Sequence, residues 1–178
     1  MAVLEIVEWP EKVLETRAQE VVHFDDALRK VVQDMHDTMD DHNALGLAAN
    51  QVGVLQRIVV MRIPYGRKDG PRMWWHDKRF TLINPVITKT EGRATLSEGC
   101  LSFPGIYEYI QRADEITVQA YDEQGKKFEV SGSEYFSACV QHETDHLDGI
   151  VFVNRMSRLK AALVRKKLQK QLVMSQGE

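Results

Sequence analysis

The chain is poor in the features that mark many specialised classes of protein. It has only two cysteines in 178 residues, Cys100 and Cys139, and they do not form a C-x-x-C pair. A disulfide framework and a four-thiolate zinc knot are thereby excluded, and each cysteine has to be read from its surroundings as a buried filler or a reactive thiol. No apolar run approaches the length needed to span a bilayer, and the opening MAVLEIVEWPEKVL lacks a basic stretch followed by an apolar core. Positive charge is not in excess either: a net charge of -3 and a pI near 6.1 give no overall electrostatic reason to bind nucleic acid or membrane. Internal repeats, low-complexity tracts and clear linkers are missing. These absences point to a cytoplasmic protein folded as one domain, 1–178, whose 43% hydrophobic content is enough for a proper core.

The elements that are present alternate in type. From Phe24 to Asn43 apolar residues recur at Leu28, Val31, Val32, Met35 and Met39, a helical stripe behind Asp25 as N-cap. Small residues follow in ALGLAANQVG, Ala44 to Gly53, and suggest close approach of backbone to something. RIVVMRI and TLINPVI read as strands, separated by a long polar loop, Pro64 to Phe80, in which Trp74 and Trp75 are anchors. EITVQAY and KKFEV form a hairpin with Ile116, Val118 and Ala120 inward. Ser131 and Glu134 have the spacing of a capping box for a helix from about Ser133 to Asp148, with Gly149 as its stop. A last helix, about Met156 to Val173, carries Met156, Leu159, Leu163 and Leu172 on one side and seven basic residues between Arg155 and Lys170 with no acid among them. That run reads equally as a solvated face and as a docking surface for an anionic partner.

The helix near Ser133 contains VQHETDHLDG, a His-Glu-x-x-His. Residues four apart share a helical face, so His142 and His146 can direct two imidazoles at one ion with Glu143 beside them as a base. A catalytic zinc-type site takes three protein ligands and keeps a position for water. The third ligand is not downstream. The extended motif of one protease class needs a histidine where Phe152 stands, no His or Cys follows His146, and the only acid after Asp148 is the terminal Glu178. Among upstream candidates His23, His36 and His42 read as surface residues of the first helix, and His76 lies in the charged loop. Cys139, one turn before His142, reads as pocket wall, because three ligands from successive turns of one helix cannot surround an ion. Cys100 in LSEGCLSFPG is the leading candidate, with a glycine beside it to let backbone approach, and the buried-filler reading stands against it. A thiolate with two imidazoles suits Fe2+ or Zn2+ and leaves the fourth position open.

Three stretches together resemble the peptide deformylases. LGLAANQVG is similar to that family's GxGxAAxQ signature with Ala44 in place of the opening glycine, EGCLS matches its second, and QHETDHLDG its third. The resemblance spans essentially the whole chain and implies Cys100, His142 and His146 as ligands of one divalent metal, Fe2+ first, with Zn2+, Ni2+ or Co2+ as alternatives. It implies an α+β fold with mixed or antiparallel sheets packed around a central metal-binding helix, flanked by an N-terminal and a C-terminal helix. The implied reaction is removal of the N-formyl group from the first methionine of newly made polypeptides. Metal-activated water attacks, Glu143 acts as general base and then acid, and the Leu101 N–H and the Gln51 amide receive the oxyanion. An extended peptide would run along Leu45, Gly46 and Gly99, with the methionine side chain among Leu96, Tyr135, Ala138, Cys139 and Leu45. The family's role also implies that the basic terminal helix docks on the ribosome. A zinc endopeptidase is the competing reading, weakened by the missing downstream ligand.

Overall fold

A computed structural model describes residues 2–65 and 76–175. Its architecture is α+β, and every pairing between its strands is antiparallel. Helix α1 (Asp26–Asp41) begins where expected, with the Asp25 carboxylate accepting the Leu28 N–H at 3.0 Å. Strands β1 (Gly46–Ala48), β2 (Ile58–Tyr65), β3 (His76–Glu91), β6 (Glu115–Tyr121) and β7 (Lys127–Ser133) form one sheet in the order β1-β2-β3-β6-β7, while β4 (Ala94–Gly99) and β5 (Tyr107–Arg112) form a separate hairpin. Helices α2 (Tyr135–Leu147) and α3 (Arg158–Ser175) complete the chain.

Strand β2 explains the layering. Val59, Met61 and Ile63 join Phe136, Val140 and Leu147 of α2 in one core, whereas Ile58 and Val60 join Val32, Met35 and Met39 of α1 in another. A strand covered on both faces has no polar side to alternate with, which is why this stretch reads as a nearly continuous apolar run. The β6–β7 hairpin has one covered face, and Ile116, Val118 and Ala120 are all buried there. A third core under α3 gathers Phe103, Ile110, Phe152, Val164 and Leu168 and ties β5 to the end of the chain.

Several local expectations need correction. Ser131 does not cap α2: it is paired with Thr117 in the β6–β7 ladder, their hydroxyls 2.8 Å apart, so β7 runs on to Ser133. The chain then turns through Glu134, at φ 57°, directly into α2. The polar loop is shorter than expected, because the β2–β3 ladder continues out to Tyr65 opposite His76, which puts His76 in a strand; Trp74 and Trp75 lie outside the described residues. His36 is buried rather than superficial, its Nε2 3.1 Å from Thr81 Oγ1 of β3. Helix α3 begins after a 3-10 turn, Phe152–Arg155, and turns Ala161, Val164 and Leu168 inward, leaving Leu159 and Leu163 74% and 60% exposed. Both stripes have helical spacing, and the phase is chosen by the contact with Phe103 and Phe152. At the end of α2, Gly149 has φ 73° and a Cβ there would stand 2.7 Å from Glu15 O, so the stop needs glycine on both counts.

Candidate metal centre

Helix α2 crosses the sheet with His142, Glu143 and His146 all buried, and the turn after β4 brings Cys100 against them. Ligand atoms of Cys100, His142 and His146 lie within 4.8 Å of one another, the only such group of His, Cys, Asp or Glu among the described residues. Cys100 Sγ is 3.3 Å from His146 Nε2. The other face of His142 is fixed by a group that sequence reasoning missed: its Nδ1 is 2.8 Å from Glu98 Oε2. A carboxylate on the outer nitrogen sets the tautomer and leaves Nε2 as the atom that would hold an ion, the usual support of a metal-binding histidine.

Glu98 is itself held by the Arg112 fork, with Nε and Nη2 donating to its two oxygens at 2.7 and 3.0 Å. Burial pushes the Glu98 carboxyl up, but the hydrogen bonds from Arg112 and His142 outweigh it and hold it at about 2. Arg112 also donates to Asp145 at 2.5 Å, and Asp145 accepts from Arg155 beyond it. The available signal was a charge in a core slot: by strand alternation Arg112 falls on the inward side of β5 with Ile110, where an apolar residue is expected.

Glu143 is treated differently. Burial, with Glu98 nearby, raises its carboxyl to about 7 against the pull of His142, and its Oε2 has no hydrogen-bond partner. A buried carboxyl with a free oxygen beside one thiolate and two imidazoles is a place for a group that the chain itself does not supply. The thiolate and two imidazoles suit a borderline divalent ion. Gln51 belongs to the 3-10 turn Ala49–Val52, where its Oε1 accepts the Ala48 N–H at 2.9 Å. That bond orients the amide, so Nε2 points to Cys100 Sγ and to the buried Ser102 Oγ, 3.4 Å from each.

Beside these groups lies a cavity of about 410 Å3 whose lining includes Leu45, Leu96, Tyr135, Ala138 and Cys139. Gly46, Gly99 and Leu101 line it as well. Gly46 is glycine because β1 presses on α2: a Cβ would stand 2.6 Å from Cys139 Sγ and 2.7 Å from Glu143 Oε1. Gly99 leaves room for the Tyr107 ring, a lining residue not anticipated from the sequence, which a Cβ would meet at 2.6 Å. Burial pushes the Cys139 thiol well up, so it stands in the wall as a neutral, apolar group. Ala44 also lines the cavity and is not among the residues with positive φ, so its methyl needs no strained backbone.

Comparison with known proteins places the chain in a family. The family model described as polypeptide deformylase matches residues 3–162. The peptide deformylase of Pseudoalteromonas translucida is 43% identical over 171 residues, covering 96% of this chain and 97% of that one. That of Neisseria gonorrhoeae is 44% identical over 170 residues and covers 96% of each. Among solved structures, a peptide deformylase from Legionella pneumophila superposes with a TM-score of 0.85 at 36% identity over 99% of each chain. The Ehrlichia chaffeensis enzyme in complex with actinonin gives 0.86 at 39% identity, over 96% of this chain and 98% of that one. With its thiolate, paired histidines and buried glutamate set in that frame, the chain belongs to the polypeptide deformylase family.

Proposed function

We propose that the chain acts as one catalytic domain, 1–178, that hydrolyses the formamide of peptides beginning with formyl-methionine. The carrying observation is the meeting of Cys100, His142 and His146 within 4.8 Å beside a buried Glu143. These three residues would hold one divalent ion, ferrous iron in our reading and zinc, nickel or cobalt as substitutes. That ion supplies Lewis acidity, which lets water attack a carbonyl near neutral pH.

The chain's own residues do the rest. Glu143, raised to about 7, takes a proton from the attacking water and passes it to the departing nitrogen, a task that needs a carboxyl poised near the working pH. The Gln51 Nε2 donates to the developing oxyanion, its direction fixed by the Ala48 N–H at the other end of the amide. The Leu101 N–H adds a second donor; among the described residues no backbone acceptor takes it. Glu98 keeps His142 in one tautomer throughout. The cavity walled by Leu45, Leu96, Tyr135, Ala138 and Cys139 receives the unbranched methionine side chain. Gly46 and Gly99 offer backbone to an extended peptide at its rim, so the residues after the first are held mainly through their main chain.

The work is cytoplasmic in this reading, since the substrate is the nascent chain, and no described helix is long and apolar enough to cross a membrane. The basic side of α3 is proposed to dock on the ribosome. Lys160 is engaged with Glu108 and Arg165 with Asn154, whereas Lys166, Lys167 and Lys170 stand exposed. Loss of ribosome co-sedimentation on replacing those three lysines with glutamine, across a salt series, is the expected result. For the reaction, mass spectrometry of a formyl-methionyl tripeptide, with protein purified without oxygen, should show loss of the formyl group alone and no loss with Glu143→Ala. Cleavage at an internal peptide bond would overturn the proposal in favour of an endopeptidase.

A further inference from the structure

On the opposite side of α2 from the metal centre lies a second cavity, of about 770 Å3, and arginine dominates its charge. Arg17, Arg57, Arg93, Arg112 and Arg155 line it against only two acids, Asp145 and Asp148. Each acid already serves two guanidiniums. Asp145 accepts from Arg112 and Arg155, and Asp148 pairs with Arg57 at 2.7 Å and with Arg17 at 3.9 Å. Glu98 takes up one more charge by holding Arg112 from the other side, and Arg93 has no ion pair among the described residues. Among these groups five guanidiniums meet three carboxylates, a local surplus of two positive charges in a chain whose net charge is -3.

The setting concentrates that surplus. Pro85, Val86 and Ile87 form an apolar wall, and low-dielectric walls focus the field of charges in a concavity. Donors are also left over. Arg57 spends Nη1 on Asp148 and on Leu147 O, and Arg155 spends Nε and Nη2 on Asp145, while a guanidinium has five N–H groups. The side chain of Arg17 is 78% exposed, and its contact with Asp148 is the longer of that acid's two. A further polar group on the wall lacks a partner: Thr144 Oγ1 of α2 is buried without a hydrogen bond. Guanidinium forks match tetrahedral oxyanions in shape and charge, and two spare positive charges suit a dianion better than a carboxylate.

We propose that this arginine-lined cavity, formed by the back of α2, the start of the chain and the β3–β4 bend, is a binding site for a phosphate-type oxyanion. The same chemistry could come from free phosphate or from the phosphodiester of an RNA strand, and one experiment separates them. Metal-loaded, full-length protein is titrated with inorganic phosphate by calorimetry and with a short single-stranded oligouridylate by fluorescence anisotropy, for the wild type and for Arg17→Gln and Arg93→Gln. Both arginines are exposed and neither lines the cavity at the metal centre, so thermal melts and deformylation should match the wild type. Phosphate binding that each substitution weakens roughly tenfold, in keeping with loss of one charge-assisted hydrogen bond, supports a free-anion site. Oligouridylate binding that weakens likewise, with a shallower salt dependence in each variant, supports a phosphodiester site. Absence of binding by both probes, or binding that neither substitution changes, overturns the proposal.

Discussion

Gly46→Ala tests how tightly the cavity, the general base and the sheet are built on one another. The added methyl carbon would stand 2.6 Å from Cys139 Sγ, so an ordinary contact of 3.4 Å requires a separation greater by about 0.8 Å. Neither partner has easy room. Cys139 is a short side chain on a packed helix, Glu143 Oε1 is equally close at 2.7 Å, and β1 is tied to β2 through Gly46 opposite Met61. Overpacking of this kind costs about 1–3 kcal/mol, which lowers the melting temperature by roughly 2–12 °C in a chain of this size. Turnover should fall further than stability, about a hundredfold, because a shift near 1 Å misplaces Glu143, the carboxyl proposed to move the proton. Metal content should stay at the wild-type level, since the thiolate and both imidazoles lie outside the clash. Scanning calorimetry, kcat/KM on a formyl-methionyl tripeptide and metal analysis of the same preparation read the three effects separately. Adding Cys139→Ala should restore part of the stability by removing the nearest atom, a coupling that a double-mutant cycle measures. A Gly46→Ala enzyme with unchanged melting temperature and unchanged turnover would refute the close approach of β1 to α2.

Other perturbations follow from the same geometry. Glu98→Gln should weaken metal affinity by about 10- to 100-fold in chelator competition, because the amide no longer supports His142 as a carboxylate does; unaltered affinity would remove Glu98 from the centre's support. Gln51→Ala should keep the metal and lower kcat by about a hundredfold to a thousandfold, whereas a rise in KM alone would mean that the amide binds substrate without meeting the oxyanion. Burial, with Arg79 nearby, holds His36 below its ordinary value of 6.5, so the unfolded chain takes the proton first as pH falls. Its contribution to stability is complete above about 6.5 and is lost as pH drops from there toward the lower folded pKa. Denaturant melts at pH 7.5 and pH 5 should therefore show a smaller decline for His36→Gln than for the wild type, and equal declines would assign the loss to other groups.

The two metal-binding histidines could be read from the chain because their chemistry imposes a local spacing, one helical turn; Cys100, far off in sequence, was only the leading candidate until the family resemblance singled it out. The hairpin with Ile116, Val118 and Ala120 inward was legible for the same reason, a period of two with one face covered. Glu98 and Arg112 were not, because their partnership depends on how β4 and β5 align and then on which face meets α2, and neither is written in a local period. The phase of α3 failed for a related reason. Leu159 and Leu163 are the larger residues, yet Ala161 faces the core, where a small side chain lets the helix sit close to Phe152. The Ser131–Glu134 spacing misled because a serine that would cap a helix is equally content bonding across a strand pair.

Among the described residues the β4–β5 hairpin shares no strand pairing with the five-stranded sheet, yet it brings Cys100 to α2, where His146, 46 positions further along the chain, meets its sulfur. An ion gripped by both pieces is also a crosslink, and closing a loop of that length removes conformational freedom from the unfolded chain worth on the order of 4 kcal/mol by the relation used for disulfides. A chelator should therefore cost the protein more than its chemistry. The hairpin's tie to the helix would be loosened, and limited proteolysis of the chelated protein should cut sooner at the exposed Pro104–Gly105 step than in the metal-loaded protein.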